Sequence, residues 1–187
     1  MNRPSQSDLV RITPRARPEA VAGEGEGVRK IGGAVTVRPA RLGDMKQVET
    51  LINRFARSNL MLPKTAEQLA RNFREFVVAV DAEETVVGCV ALRVYNETLA
   101  EVGSLAVDDS AHGQGVGRKL VERILDEARS LGLRTVFALT LQELFFHRLG
   151  FRTVQKEMFP LKVWADCRAC PKLHACDEIA VVKELGG

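Results

Sequence analysis

No apolar run in this 187-residue sequence approaches the ~20 residues that a membrane-spanning helix needs, which excludes an anchor of that kind. A large charge excess is missing too. The formal net charge is +3, and the basic residues are scattered rather than gathered in one block, so neither nucleic acid nor an acidic membrane is demanded as a partner. There is no apolar signal-peptide core, and nothing about the four cysteines suggests a secreted disulfide scaffold. A soluble, cytoplasmic protein is the expectation. What the sequence does have is 45% hydrophobic residues, enough for a sizeable core, with one domain plus tails as the economical reading.

Residues 1–33 differ from the rest of the chain. They carry Pro4, Pro14 and Pro18, a glycine-rich run from Gly23 to Gly27, and Gly32 with Gly33, but few large apolar side chains to offset the entropy of ordering. They read as a disordered tail, with residues 34–187 as the domain. Arg3, Arg11, Arg15 and Arg17 invite a transit-peptide reading, which the prolines oppose because they prevent an amphipathic helix.

From Val35 the pattern becomes that of a folded chain. Val35 to Arg38 is a short strand whose ladder Pro39 ends. Asp44 then caps a helix, with Gln47 three residues on and Met45, Val48, Leu51, Ile52 and Phe55 along one face. A second cap stands at Thr65, with Gln68 at the box position. Strands from Phe76 to Asp81 and from Thr85 to Tyr95 make a hairpin, and Leu99 to Val107 extends it into a meander. Cys89 reads as a core thiol. Arg93 and Tyr95 share a strand face, where an exposed pair is the plainer reading and lining a site the alternative. Further on, Val116, Leu120, Val121, Ile124, Leu125 and Ala128 repeat at helical spacing up to Gly132. A strand from Arg134 to Thr140, a short helix from Gln142 to Leu149 and a strand from Phe151 to Val154 complete this part of the chain.

The chain is organised around Glu101 to Leu120, which reads strand, glycine turn, helix. Gly113, Gly115 and Gly117 leave the backbone free to present successive N–H groups to an anion, and the helix that starts near Gly115 adds its unpaired amides and positive dipole end. Spacing alone fits an ordinary tight turn or cap equally well. Strand alternation puts Glu101, Gly103, Leu105 and Val107 on one face, so a carboxylate and a phosphate cradle share one element.

The run from Ser104 to Glu122 resembles the acetyl-CoA-binding segment of the GCN5-related N-acetyltransferases. That signature is Gln or Arg, two residues, Gly, one residue, then Gly or Ala, and it is met here by His112, Gly113, Gln114, Gly115, Val116 and Gly117. His112 departs from the first position. Phe145 to Phe151 is similar to the family's later motif, with Phe146 where a tyrosine often stands; a phenyl ring cannot protonate a departing thiolate, so that acid is absent. The segments Phe159 to Leu185, Asn59 to Leu69 and Ala100 to Val107 resemble those of short, single-domain bacterial N-acetylglutamate synthases. The resemblance implies an α/β (α+β) fold, with a mixed sheet of about six to seven strands flanked by about four helices. It also implies acetyl transfer from acetyl-CoA to the α-amine of L-glutamate, the entry step of arginine biosynthesis. The stretch ahead of Val35 shows no amino-acid-kinase-like domain of the sort found in the long bacterial synthases, so feedback inhibition by arginine is not carried over.

The resemblance also assigns roles. Glu101, on the strand position of the family's proposed base, would take a proton from the ammonium of the acceptor, directly or through water; its plainer role is a strand carboxylate satisfied by an arginine. A strand amide, that of Leu105, would hold the oxyanion. Pantetheine would lie along Leu105, Ala106 and Val107 like an added strand, and Gln114, Gly115, Val116, Gly117 and Arg118 would hold the pyrophosphate. Thr140 or solvent would protonate the departing thiolate. Lys64, in the link over the acceptor site, would grip a glutamate carboxylate, with Arg93 second; a solvated lysine is the alternative. Another amino acid, a polyamine or a protein amine as acceptor, or a CoA sensor without catalysis, are the competing readings. The expected partner is a small amine, with no nucleic acid and no membrane, and a homodimer is left open.

Cys167, Cys170 and Cys176 form C-x2-C-x5-C with His174 inside that spacing. Three thiolates and an imidazole suit tetrahedral zinc, but reduced structural thiols need no metal, and no metal is the reading adopted.

Overall fold

The computed structural model describes residues 33–159, 170, 172 and 175–186. The expected disordered tail, apart from Gly33, lies outside the described residues, as do Cys167 and His174.

The meander forms as its alternation predicts. β1 (Thr36–Pro39), β2 (Phe76–Val80), β3 (Val86–Val94) and β4 (Leu99–Val107) pair in sequence order, each antiparallel to the next. Pro39 does not end the first ladder. It stays in register opposite Val77, and the Ala40 amide still donates to the Phe76 carbonyl at 2.9 Å. Successive amides point to opposite sides, so the N–H that Pro39 lacks falls on the outer side of an edge strand, where no partner is lost.

β4 also pairs with β5 (Thr135–Thr140), and this contact is parallel. β7 (Ile179–Glu184) enters between β5 and β6 (Arg152–Val154), antiparallel to both, giving the order β1-β2-β3-β4-β5-β7-β6. Among the described residues, seven strands and four helices make the mixed α/β architecture that the resemblance implies.

The helices cover both faces. On one, α1 (Met45–Arg57) buries Met45, Val48, Leu51 and Ile52, and α2 (Ala66–Arg71) adds Leu69, against Phe76, Val78, Cys89 and Ala106 of the sheet. α2 starts at the expected capping box: the Gln68 amide donates to Thr65 Oγ1 at 3.2 Å, and the Thr65 amide donates to Gln68 Oε1 at 3.0 Å. Asp44 does not cap α1. A short 3-10 turn, Leu42–Asp44, runs directly into the helix, and the Asp44 carboxylate instead accepts from the Arg41 amide at 2.6 Å and pairs with Arg38 at 2.7 Å. The Arg38 hydrogen bond is the main reason that this carboxyl titrates below its ordinary range.

On the other face, α3 (Val116–Ser130) buries Val116, Leu120, Val121, Ile124, Leu125 and Ala128, the set its spacing predicts. Gly88 on β3 lets it come close: a Cβ there would stand 2.9 Å from Leu120 Cδ1. Cys89 is a core thiol as expected. It donates to the Ser104 carbonyl at 3.5 Å, and burial pushes the thiol up to about 12. Among the described residues no helix is long and apolar enough to cross a membrane.

Candidate active site

β4 and β5 pair only at Leu99 with Thr135, Ala100 with Val136 and Glu101 with Phe137. Beyond Glu101 no described strand pairs with β4 on that side. A bulge accompanies the parting. Cys89 faces Ala106 and Ala91 faces Gly103, so two residues of β4, Ser104 and Leu105, stand opposite the single Val90 of β3. Ser104 takes a left-handed φ of 52° to make it.

The extra residue corrects the shared face expected from simple alternation. Ala100 and Val102 pack into the core beneath α3, but so do Leu105 and Val107, whereas Ala106 packs on the α1 side. Glu101 therefore points to the face away from α3, and Leu105 and Val107 to the face against it. One residue reverses the phase of the strand.

Between the diverging strands lies a groove of about 1130 Å³. The second half of β4 and the end of β5 form its walls, the first turn of α3 stands at one end, and the link from α1 to α2 overhangs it. Glu101, Leu105, Ala106, Val107, Gly115, Val116, Gly117, Arg118, Thr140, Lys64 and Arg93 all line it. Gln114 does not. Its side chain turns back to donate to the Ser110 carbonyl at 3.1 Å, bracing the loop rather than facing the groove.

Glu101 is 4% exposed. Tyr95 Oη donates to its Oε2 at 3.0 Å, and Arg93 Nη1 lies 3.6 Å from the same oxygen. Arg93 and Tyr95 are thus not the exposed strand pair that was the plainer reading; both are half-buried and turned to this carboxylate. The role of Tyr95 was missed, and its shared face with Arg93 was the one signal available. Its ring rests on Phe137 at 5.8 Å between centroids, and Phe137 stacks on Phe159 at 4.1 Å, so the hydroxyl is held on a rigid base.

Across the groove, the Asn53 side chain of α1 clamps the backbone of Lys64. Nδ2 donates to the Lys64 carbonyl at 2.9 Å, and Oδ1 accepts from the Lys64 amide at 3.0 Å. At the end of β5, Thr140 Oγ1 accepts from the Gln142 amide at 2.8 Å, which leaves the hydroxyl proton to point elsewhere. α4 (Glu143–His147), shorter than the expected Gln142 to Leu149, puts Phe145 and the buried Phe146 on the groove wall.

The cradle has the expected backbone. Gly113 and Gly115 have φ of 77° and 73°, a region costly for any residue with a Cβ. Gly115 caps α3 with no side-chain hydrogen bond, so among the described residues no side chain competes for the first-turn amides and a diphosphate can take them. His112 does not replace the usual Gln or Arg in kind. Its Nε2 lies 2.9 Å from the Val107 carbonyl and closes the loop on β4. Asp108 fixes the start of that loop, accepting from the Ser110 hydroxyl at 2.6 Å, the Ser110 amide at 2.9 Å and Arg54 at 2.7 Å. Burial raises its pKa, but these partners outweigh burial and hold it below the ordinary carboxylate range.

Cys170 and Cys176 are free thiols on the groove wall. Among the described residues no cluster of three metal-ligating side chains occurs. The proposed zinc set includes Cys167 and His174, outside the described residues.

A mixed sheet parted between two parallel strands, with a helix N-terminus free of a side-chain cap at the mouth of the parting, can seat a diphosphate and an extended chain beside a buried carboxylate. The chain belongs to the acetyltransferase (GNAT) family, whose model matches residues 44–151. It is an N-acetyltransferase, and acetyl-CoA is its donor. An uncharacterized N-acetyltransferase of Chlorobaculum tepidum is 42% identical over 80% of this chain and 96% of its own length. An amino-acid acetyltransferase of Mycobacterium tuberculosis is 36% identical over 71% of this chain and 78% of its own. Among solved structures, an N-acetylglutamate synthase from Neisseria gonorrhoeae complexed with coenzyme A and N-acetyl-glutamate matches 82% of this chain with a TM-score of 0.73 and 26% identity. This chain spans only 36% of that one.

Proposed function

We propose that this N-acetyltransferase acetylates the α-amine of L-glutamate, giving N-acetyl-L-glutamate and CoA, the first step of arginine biosynthesis. The observation that carries the reading is the buried Glu101 carboxylate at the point where β4 leaves β5, with Arg93 beside it and Lys64 in the same groove. A base among cations suits an acceptor that brings one ammonium and two carboxylates. The amino-acid acetyltransferase of M. tuberculosis and the synthase of N. gonorrhoeae support the same acceptor class.

Attack is direct, within a ternary complex. Glu101 takes the proton that makes the amine a nucleophile. Tyr95 and Arg93 hold the carboxylate in place, and the carboxylate serves the acceptor directly or through an intervening water. The amide of Leu105 faces the developing oxyanion, and the edge of β4 from Leu105 to Val107 receives pantetheine as a strand would be received. The amides from Gly115 to Arg118 hold the diphosphate. The leaving thiolate takes its proton from solvent, directly or relayed through the Thr140 hydroxyl, which is re-protonated from the same water. Lys64 binds one glutamate carboxylate, with Arg93 as the second cation.

Release of free CoA thiol, measured over a panel of amines, tests the acceptor. L-Glutamate should give the highest kcat/KM. If other amino acids or polyamines support release and glutamate does not, the substrate assignment fails. If CoA binds and no amine reacts, the catalytic reading fails with it.

A further inference from the structure

A second hollow, of about 270 Å³, opens beside α3 and is lined among others by Arg118, Glu122, Asp126, Arg129, Arg148 and Lys183. Arg118, Arg148 and Leu149 line both this hollow and the main groove, so the two spaces run together at the phosphate cradle. Cations predominate in it, and their partners sort them. Arg129 is committed to Asp126 at 2.8 Å, Arg118 lies 3.6 Å from Glu122, and Lys183 donates to the Leu149 carbonyl. Arg148 is different: its exposed guanidinium makes no hydrogen bond or ion pair with any described residue. It sits at the C-cap of α4, and α4 is held against the start of α3, the Phe145 ring lying 3.5 Å from where a Cβ on Gly117 would be.

We infer that Arg148 binds the ribose 3′-phosphate of the acetyl-CoA donor in this hollow. CoA carries a diphosphate and, on its ribose, a separate phosphomonoester. The amides and dipole of α3 act within its first turn and are taken up by the diphosphate, so the monoester needs a cation of its own. A guanidinium fork matches phosphate geometry, and one with no existing ion pair gives nothing up when it turns to the ligand. Arg118, between the cradle and the hollow, bridges the two phosphate positions. The inference rests on acetyl-CoA as donor and is independent of which amine is the acceptor.

Calorimetric binding of CoA and of 3′-dephospho-CoA, with no acceptor present, tests it. Wild-type protein should favour CoA roughly tenfold or more, as a charge-assisted contact implies. Arg148→Ala should bring CoA down to the affinity of 3′-dephospho-CoA and leave the latter unchanged, while Arg129→Ala should keep the preference. Equal binding of the two ligands by wild type would overturn the inference. So would a loss in Arg148→Ala that is the same for both ligands, a preference that survives Arg148→Ala, or one that Arg129→Ala abolishes. Because glutamate plays no part in the measurement, this outcome and the acceptor assignment stand or fall separately.

Discussion

The two halves of β4 are made of similar residues and do opposite things. Up to Glu101 the strand is paired on both sides, by β3 and by β5, and Ala100 and Glu101 are buried there. From Val102 onward it keeps β3 and loses β5, and that edge becomes a wall of the groove. Apolar composition does not separate a core strand from a binding strand. What separates them is the loss of one neighbour after Glu101, followed by one inserted residue that turns the side chains over.

The sharpest way to break that contrast is at its boundary. Glu101→Gln should lower kcat by about 10²–10⁴, the usual range for a lost general base, while acetyl-CoA affinity, which depends on the open half and the cradle, stays near wild type. Turnover that is unchanged across pH would remove Glu101 from the reaction. Next, Gly88→Val presses on the closed packing between β3 and α3, where even a Cβ would stand 2.9 Å from Leu120 Cδ1, and should cost ~1–3 kcal/mol in urea unfolding. No loss would mean that α3 has room to spare at the sheet. Tyr95→Phe keeps the ring on Phe137 and removes one hydrogen bond to Glu101; kcat should fall roughly tenfold with little change in melting temperature. Ser104→Val puts a branched side chain at φ 52° and should destabilise by ~1–2 kcal/mol, whereas Ser104→Gly should not destabilise; if both behave alike, the bulge is not set by that residue's backbone. The smallest effect lies away from β4. Asp44 titrates below its ordinary 3.8 because Arg38 bonds it, so its contribution to stability is present above that value and is lost as pH falls through the lower folded value. Asp44→Asn should flatten stability against pH in that acid window and leave activity alone.

Much of this was legible in the chain. The bounds of β4, the glycine turn, the buried stripe of α3 and the capping box at Thr65 are all local, each dictated by residues within a turn or a strand of one another. The bulge was not, because Ser104 is unremarkable within its own strand and only the register against β3 shows that two residues face one. The pairing of Tyr95 with Glu101 escaped for a related reason, since it joins a hairpin end to a neighbouring strand. Asp44 has the right spacing for a cap, yet its side chain is drawn off by Arg38, a competitor that no helix pattern contains. Gln114 fits the cradle signature by position but is used up within its own loop. β7 was not read as a strand either, because its apolar run, Ile179 to Val182, is short and follows closely on the cysteine segment.

That strand has a consequence for how the protein is made. A ribosome delivers β5 and β6 before β7, yet β7 belongs between them. Until residues 179–184 emerge, β5 carries a bare edge and β6 has no strand partner among the described residues, the condition in which a nascent chain invites mispairing. Truncation just ahead of Ile179 should therefore leave a polypeptide that a chaperone retains and that no amount of donor rescues.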